Sequence, residues 1–525
     1  MPALPKSVVI ENPVINSPFA EPERHFKFDE NGITNEIIQS RRQSEYFIPV
    51  PRPKGLRANP DQGVIDFGDD WLKNDIEPNK FINEVREKVI TWRKGGYRGI
   101  TPITRQLLGH WNNPDRENKL FFCQIEAVET AIYITEVAKK QGAGWVENQI
   151  RDANAEANSP LYRIAFKMAT GAGKTVVMAM LIAWHTLNKV ANRRDKRFSD
   201  AFLIVTPGVT IRERLNVLLP QERENYYKER DIVPLGHREE LAKANIVITN
   251  YHAFKPRKDV SEVVGKVLKA DPEVLAETPG RMVNRVLRQL KGKKNIIVFN
   301  DEAHHCYRAK QSGDEIAGVD KDEKKEMNER NDEARIWISG IEAVEQKLGV
   351  KVVYDLSATP FFLKGAGYSR EVRGGKRIAE GVLFPWVVSD FSLIDAIESG
   401  IVKVPRVPVD DSLPSESQPV NLVLWPRIKD KLPKANSRIT SDVSLPEELE
   451  TALRSLYGSY ETYHQRWESD SKNTSPPVMI IVCNNIRVSR LVRDWVSGHK
   501  KELPGGVESI EDGKLPLFSN AKDGY

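Results

Sequence analysis

Cysteine is nearly absent, with Cys123, Cys306 and Cys483 the only three in 525 residues. They lie far apart with no CxxC pair, so neither a disulfide framework nor a cysteine zinc site is encoded, and three buried or half-buried free thiols are expected. Long apolar runs are missing as well. No stretch approaches the roughly 20 residues a membrane helix needs, and the start, MPALPKSVVIENPV, lacks the basic-then-apolar profile of a signal peptide. A cytoplasmic protein without a membrane partner is the expectation. No internal repeat recurs at a fixed period. Strong charge of one sign is also lacking: a net +5 over 525 residues is compatible with a polyanionic partner but too dilute to identify one.

What is present is globular. The composition, 40% hydrophobic and 29% charged, fits neither a disordered nor a membrane protein, and the length suggests about three domains at roughly 150 residues each. The first hundred or so residues are rich in proline and charge (EPERHFKFDENG, IPVPRPKG), with one helical stretch, FINEVREKVITWRKG, whose apolar positions recur at helical spacing. A second helix is expected in LFFCQIEAVETAIYITEVAKK. Short β-branched apolar runs then alternate with helical stretches: RIAFKM at 163–168, AFLIVT at 201–206, NIVIT at 245–249, NIIVF at 295–299 and VVYDL at 352–356. Continuous rather than alternating apolar strands, separated by helices, predict an α/β domain built on a parallel sheet covered on both faces. After VVSDFSLIDAIESGIVKVPRVPV the Pro/Ser-rich DDSLPSESQP reads as a connector. The helix PEELETALRSLYGSYETYHQRW, the buried-type strand VMIIVC at 478–483 and the helix NIRVSRLVRDWVSGHKKE then look like the opening of a second α/β domain.

In MATGAGKT (Met168 to Thr175) the strand RIAFKM feeds a glycine-bearing turn and the helix TVVMAMLIAWHTL, the context of a phosphate-binding loop. Thr170, Gly171, Ala172 and Gly173 would offer backbone N–H groups to phosphate oxygens, Lys174 a full charge and Thr175 a hydroxyl for Mg²⁺. Met168 stands where the strict GxxxxGK[ST] pattern has its first glycine. NDEAHH (Asn300 to His305) follows the strand NIIVF, so Asp301 and Glu302 emerge at the carboxyl end of a parallel strand, where ligands of such sheets bind. Asp301 would hold Mg²⁺, and Glu302 would orient and deprotonate the water that attacks the γ-phosphate. An acidic strand end that merely caps a helix is the plainer alternative. SATP (Ser357 to Pro360) ends the next strand.

Taken in order, these motifs resemble the first RecA-like, P-loop NTPase domain of a superfamily 2 DEAD/DEAH-box helicase or translocase, over about 120–525. That family lacks the first glycine in many members. The resemblance implies ATP and Mg²⁺ as ligands, Gln124 (after Phe121 and Phe122) as the residue that reads adenine, and His304 coupling the nucleotide to Ser357, Ala358 and Thr359. TPGVTIRERL from Thr206 and TNYHAF from Thr249 resemble strand-end motifs that meet the nucleic-acid backbone, which implies contacts from Thr206, Gly208, Arg212 and Thr249; loop capping is the alternative. TPGR at 278–281 mimics a DEAD-box motif, but the preceding ADPEVLAE reads as helical. DEAHHCY, TNYHAF and FPWVVSDFSLIDAIESG are similar to the restriction subunit of type III restriction-modification enzymes, implying double-stranded DNA and a methyltransferase (modification) subunit as partners. His305 and Cys306 receive no role.

A complete motor of this kind carries a second RecA-like lobe with arginines that reach the γ-phosphate, and a restriction enzyme carries a nuclease; the motifs of neither occur in the sequence. The expected layout is an α-rich accessory segment at 1–118, a first RecA-like domain at 119–390, a connector and the start of a second lobe at 391–475 and a partial second RecA-like domain at 476–525, in a C-terminally truncated or split enzyme. A nuclease-free superfamily 2 helicase of repair or RNA metabolism, and a non-catalytic DNA-binding module, are the rival readings.

Overall fold

The structure is a computed structural model that describes residues 10, 12–29, 32–48, 75–257, 277–310, 321–363, 365–372, 376–378, 381–404, 424–433, 444–469, 476–503 and 507–520. It divides into two compact units: residues 1–54 with 67–404, and residues 55–66 with 405–525.

The first unit opens with two antiparallel pairs that the sequence reading did not anticipate: β1 (His25–Asp29) with β2 (Gly32–Ile38), and β3 (Glu45–Ile48) with β4 (Asp75–Pro78). Helix α1 (Lys80–Lys94) follows and buries Ile82, Val85, Val89 and Trp92 along one stripe, the spacing its sequence predicts. Helix α2 (Pro102–Trp111) starts at Thr101, whose hydroxyl caps the N–H of Thr104, with Pro102 in the first turn. The expected helix at 120–140 is helical from Phe122 onward but changes pitch. It runs as α3 (Phe122–Ile132), loosens into a π-helical turn at Tyr133–Val137 and tightens over Ala138–Gln141, where Gly142 at φ 76° ends it. Helix α4 (Gly144–Ala157) leads to the sheet.

Six strands form that sheet, β5 (Arg163–Met168), β6 (Ala201–Thr206), β7 (Asn245–Asn250), β8 (Ile296–Asp301), β9 (Val350–Ser357) and, after the short antiparallel pair β10 (Arg370–Val372) and β11 (Lys376–Ile378), β12 (Val387–Phe391). The spatial order is β12-β5-β9-β8-β6-β7 and every pairing is parallel. Helix α5 (Lys174–Ala191), buried from Val176 to Asn188, packs in the large core on one face together with α1 to α4, which is why it is apolar all round. Helices Pro279–Val286 and Lys321–Leu348 share the core of the other face through Met282, Val283, Trp337, Ile341 and Val344. This is the parallel α/β architecture that the strand pattern predicts and the RecA-like fold that the resemblance implies.

Thr278 caps the Pro279–Val286 helix, so TPGR is a helix start; the 270–276 stretch, the proline-rich 49–55 and the connector 410–419 lie outside the described residues. The second unit holds helices Leu424–Ile428, Glu447–Ser469 and Ile486–Ser497 and the hairpin of β13 (Gly498–Leu503) and β14 (Val507–Asp512), around a core that includes Leu449, Leu453, Val488 and Val492. The expected buried strand VMIIVC is not one. Val478, Ile480 and Val482 are 78%, 80% and 91% exposed, and β13 and β14 pair with each other, leaving the run no strand partner among the described residues. Apolar, β-branched composition alone does not make a strand without a neighbour to take its backbone hydrogen bonds.

Candidate functional site

The sheet order places three loops side by side. Strands β5, β9 and β8 are adjacent, and at their carboxyl ends stand MATGAGKT, SATP and NDEAHH respectively, as ligand sites of parallel sheets require. Gly171 and Gly173 both take positive φ, 87° and 86°, a region that favours glycine. At Gly173 a Cβ would also collide with the Gln124 amide. Thr170 and Gly171 are exposed, Ala172 is buried, and Gly173, Lys174 and Thr175 are half-buried at the start of α5, whose N-terminus adds its dipole to the loop.

Gln124 is buried against this loop. Its Nε2 donates to the Ala172 carbonyl at 3.0 Å and its Oε1 accepts the Phe121 N–H at 3.0 Å, closing the first turn of α3. The side chain the resemblance assigns to adenine thus ties α3 to the phosphate loop, with one amide hydrogen left over.

Across β9, the Lys174 ammonium pairs with the Glu302 carboxylate at 2.9 Å. Glu302 itself sits at φ 52° and ψ 51°, a left-handed conformation in a non-glycine residue, the kind of local strain that concentrates at functional positions. Asp301, at the end of β8, is 8% exposed. Burial, with the neighbouring Glu302 charge, pushes its carboxyl up to about 6 against the opposing pull of Lys174. His304 Nδ1 lies 2.9 Å from Ser357 Oγ and 3.6 Å from Glu302 Oε2; burial and the adjacent His305 push its pKa down to about 4. Ser357 Oγ also accepts the Thr359 N–H at 3.0 Å. Ala358 is half-buried and Thr359 exposed. Lys174, Glu302, His304 and the Ser357 hydroxyl therefore form one connected chain of contacts, with Asp301 next to Glu302 at the end of β8.

Residues 117–362 match the family model for the type III restriction enzyme, res subunit. This segment is a ResIII domain. It is a helicase-like P-loop NTPase domain of superfamily 2, and it holds five of the six strands, with β12 beyond its end. No curated protein matches the chain. No helix among the described residues is long and apolar enough to cross a membrane.

The nucleic-acid candidates of the ResIII domain fall at the ends of β6 and β7 but differ in presentation. Thr206 is fully buried and its hydroxyl donates to the Gly208 carbonyl at 2.9 Å; Thr249 is 8% exposed and its hydroxyl turns to the Asn250 carbonyl at 3.3 Å. Both side chains stabilise their own loops, the capping role weighed against contact. Gly208 is half-buried, while Arg212 is exposed and lines a cleft of about 470 Å³ with Asn216, Arg285 and Arg288.

The sequence reading missed a polar network under the site. Arg163 and Asp355, both fully buried, pair at 2.8 Å between β5 and β9. The Asp355 carboxylate also accepts Asn300 Nδ2 and Trp386 Nε1 at 2.8 Å each, and Trp337 Nε1 donates to Asn300 Oδ1 at 3.0 Å. Asn300 immediately precedes Asp301, and Asp355 stands two residues before Ser357, so the network joins the strands that carry both motifs. A charge opening one apolar strand (RIAF) and an opposite charge inside another (VVYDL) were the signal, because buried charges are tolerated only when paired. Cys306 and Tyr307 pack as core, and burial pushes the Cys306 thiol up to about 12.

Proposed function

We propose that this chain is the ATP-dependent DNA translocase or helicase core of a type III-like restriction endonuclease, with residues 119–390 as its catalytic lobe, Mg²⁺ as cofactor and double-stranded DNA and a modification subunit as partners. The observation that carries the reading is the Lys174–Glu302 pair bridging the ends of β5 and β8, with His304 and Ser357 beside it. The residues suit a magnesium nucleotide: the loop is a cradle in which a Cβ at Gly173 would clash, and the Thr175 hydroxyl with the Asp301 carboxylate is a hard-oxygen donor set of the kind Mg²⁺ selects. When bound, Mg²⁺ supplies positive charge to the phosphate oxygens. Thr170 to Gly173 bind the phosphates through backbone N–H groups, and Lys174 leaves Glu302 to pair with them. Glu302, released, orients a water and takes its proton. His304, neutral through most of the pH range, relays the state of Glu302 to Ser357 and the SAT turn.

The test is ATP turnover by the full chain with and without duplex DNA, set beside Lys174→Ala and Glu302→Gln. Lys174→Ala abolishes nucleotide binding, and Glu302→Gln binds nucleotide but does not hydrolyse it. Normal DNA-stimulated turnover in either variant overturns the mechanism; stimulation by RNA alone transfers the chain to the nuclease-free helicase reading.

A further inference from the structure

Four consecutive residues of the N-terminal segment, Arg41-Arg42-Gln43-Ser44, lie outside the ResIII domain, yet three of them reach three different elements that touch the phosphate loop. Arg41 grips α3 through a bidentate pair with Glu126, both N···O distances 2.6 Å, and α3 carries Gln124, which holds the Ala172 carbonyl. Arg42 meets Glu398 at 2.5 Å, at the end of the helix Leu393–Glu398. That helix fixes Val402 through the Ala396 carbonyl, and Val402 closes on Gly171, where a Cβ would stand 3.3 Å from its Cγ2. Ser44 donates to Asp390 at 2.6 Å. Asp390 in turn pairs with Lys167 at 2.9 Å, one residue before the loop motif, and its neighbour Phe391 accepts the Ala169 N–H at 3.0 Å.

The two arginine pairs are buried: Glu126 is 4% and Glu398 3% exposed at the side chain. A generic surface strap would gain little from ion pairs in such positions, since desolvation offsets most of the attraction. Their return is geometric. The bidentate Arg41–Glu126 pair fixes distance and orientation together, and the single Arg42–Glu398 and Ser44–Asp390 contacts hold the other two supports of the same glycine-bearing loop.

We propose that Arg41, Arg42 and Ser44 are positioning residues: a staple from the N-terminal segment that holds the phosphate loop in its nucleotide-receiving shape, so that a part of the chain outside the ResIII domain sets nucleotide affinity. The proposal rests on the reading of MATGAGKT as a nucleotide loop only for its consequence for binding; the bracing of the loop stands apart from it.

The experiment uses the full chain with three variants: Ser44→Ala and the double changes Arg41→Gln with Glu126→Gln and Arg42→Gln with Glu398→Gln, each of which removes both partners of its buried pair. Amide hydrogen exchange is followed at residues 168–175 and, as an internal reference, in the central strands β6 and β8. The expected result without nucleotide is loop exchange faster by about tenfold or more with the reference strands unchanged, as local opening allows. With nucleotide, KM for ATP rises about tenfold while kcat stays within about twofold, the split expected when binding and transition state lose the same contact. Loop exchange equal to the parent's in folded variants overturns the staple, and so does acceleration of loop and reference strands together, which would mark general destabilisation. Should the parent chain bind no nucleotide at all, the ATPase reading fails while the exchange data still decide the staple.

Discussion

Lys174 and Glu302 neutralise one another across β9, so on the proposed function a phosphate displaces a carboxylate to reach the lysine. The pair is half-open to solvent, with side chains 12% and 30% exposed, and such pairs are worth about 0–1 kcal/mol. Glu302→Gln should therefore bind ATP no worse than the parent and up to about fivefold tighter, since every 1.4 kcal/mol is tenfold; calorimetric titration reads the difference. Gly173 is constrained twice, by φ 86° and by the Gln124 amide that fills the space where a Cβ would stand. Forcing a side chain there costs about 1–3 kcal/mol of local strain, which predicts that Gly173→Ala weakens a fluorescent ATP analogue by about 5- to 140-fold. Affinity equal to the parent's would mean that the loop is not the phosphate seat. Asp355→Asn leaves Arg163 charged and buried without its counter-ion, a loss of about 3–5 kcal/mol in urea unfolding, while Arg163→Met with Asp355→Leu recovers only part of it, because the Asn300 and Trp386 donors lose their acceptor.

At the scale of elements, the strands of the sheet were legible because each is a short β-branched run followed by loop chemistry, and RIAFKM and AFLIVT became strands with the bounds read from sequence. VMIIVC has the same composition and failed, because strand identity depends on a neighbour that composition does not reveal. That MATGAGKT and NDEAHH belong together was expected from motif order, but neither the Lys174–Glu302 ion pair nor the Arg163–Asp355 network was, since the latter requires knowing that β5 and β9 are adjacent although 182 residues separate Met168 from Val350. On helix α3 the resemblance singled out Gln124 alone, yet Glu126 and Glu129 of the same helix are buried as well. Burial would push the Glu126 carboxyl up, but the Arg41 guanidinium beside it brings it down to about 2. A carboxyl depressed in the folded state contributes stability above its unfolded value, near 4.3, and loses that contribution as pH falls toward 2. The parent chain should thus lose about 3 kcal/mol more than Glu126→Gln between pH 5 and pH 2, seen as a steeper decline of Tm; parallel declines would remove the Arg41–Glu126 pair from the energetics.

On the scale of the whole molecule, the matched segment and the folding unit do not coincide. The core on the α5 face draws Ile82, Val85, Val89 and Trp92 from α1 and Leu107, Leu108 and Trp111 from α2, all before residue 117, and Trp386, Val387 and Phe391 after residue 362. Each such side chain contributes about 1.5–3 kcal/mol when buried. Losing even a few of the seven N-terminal ones is large against the roughly 5–15 kcal/mol net stability of a whole domain. Cutting the chain at the limits of the ResIII domain would expose their partners on α3 and α5 and the flank of β5. The fragment 117–362 should accordingly show no cooperative thermal unfolding, while the fragment 12–404, which retains α1, α2 and β12, should melt in a single transition that rises when ATP and Mg²⁺ are added, by about 2.7 kcal/mol at a ligand concentration one hundred times Kd. Cooperative melting of 117–362 would mean that the N-terminal helices are an appendage rather than part of the nucleotide-binding core.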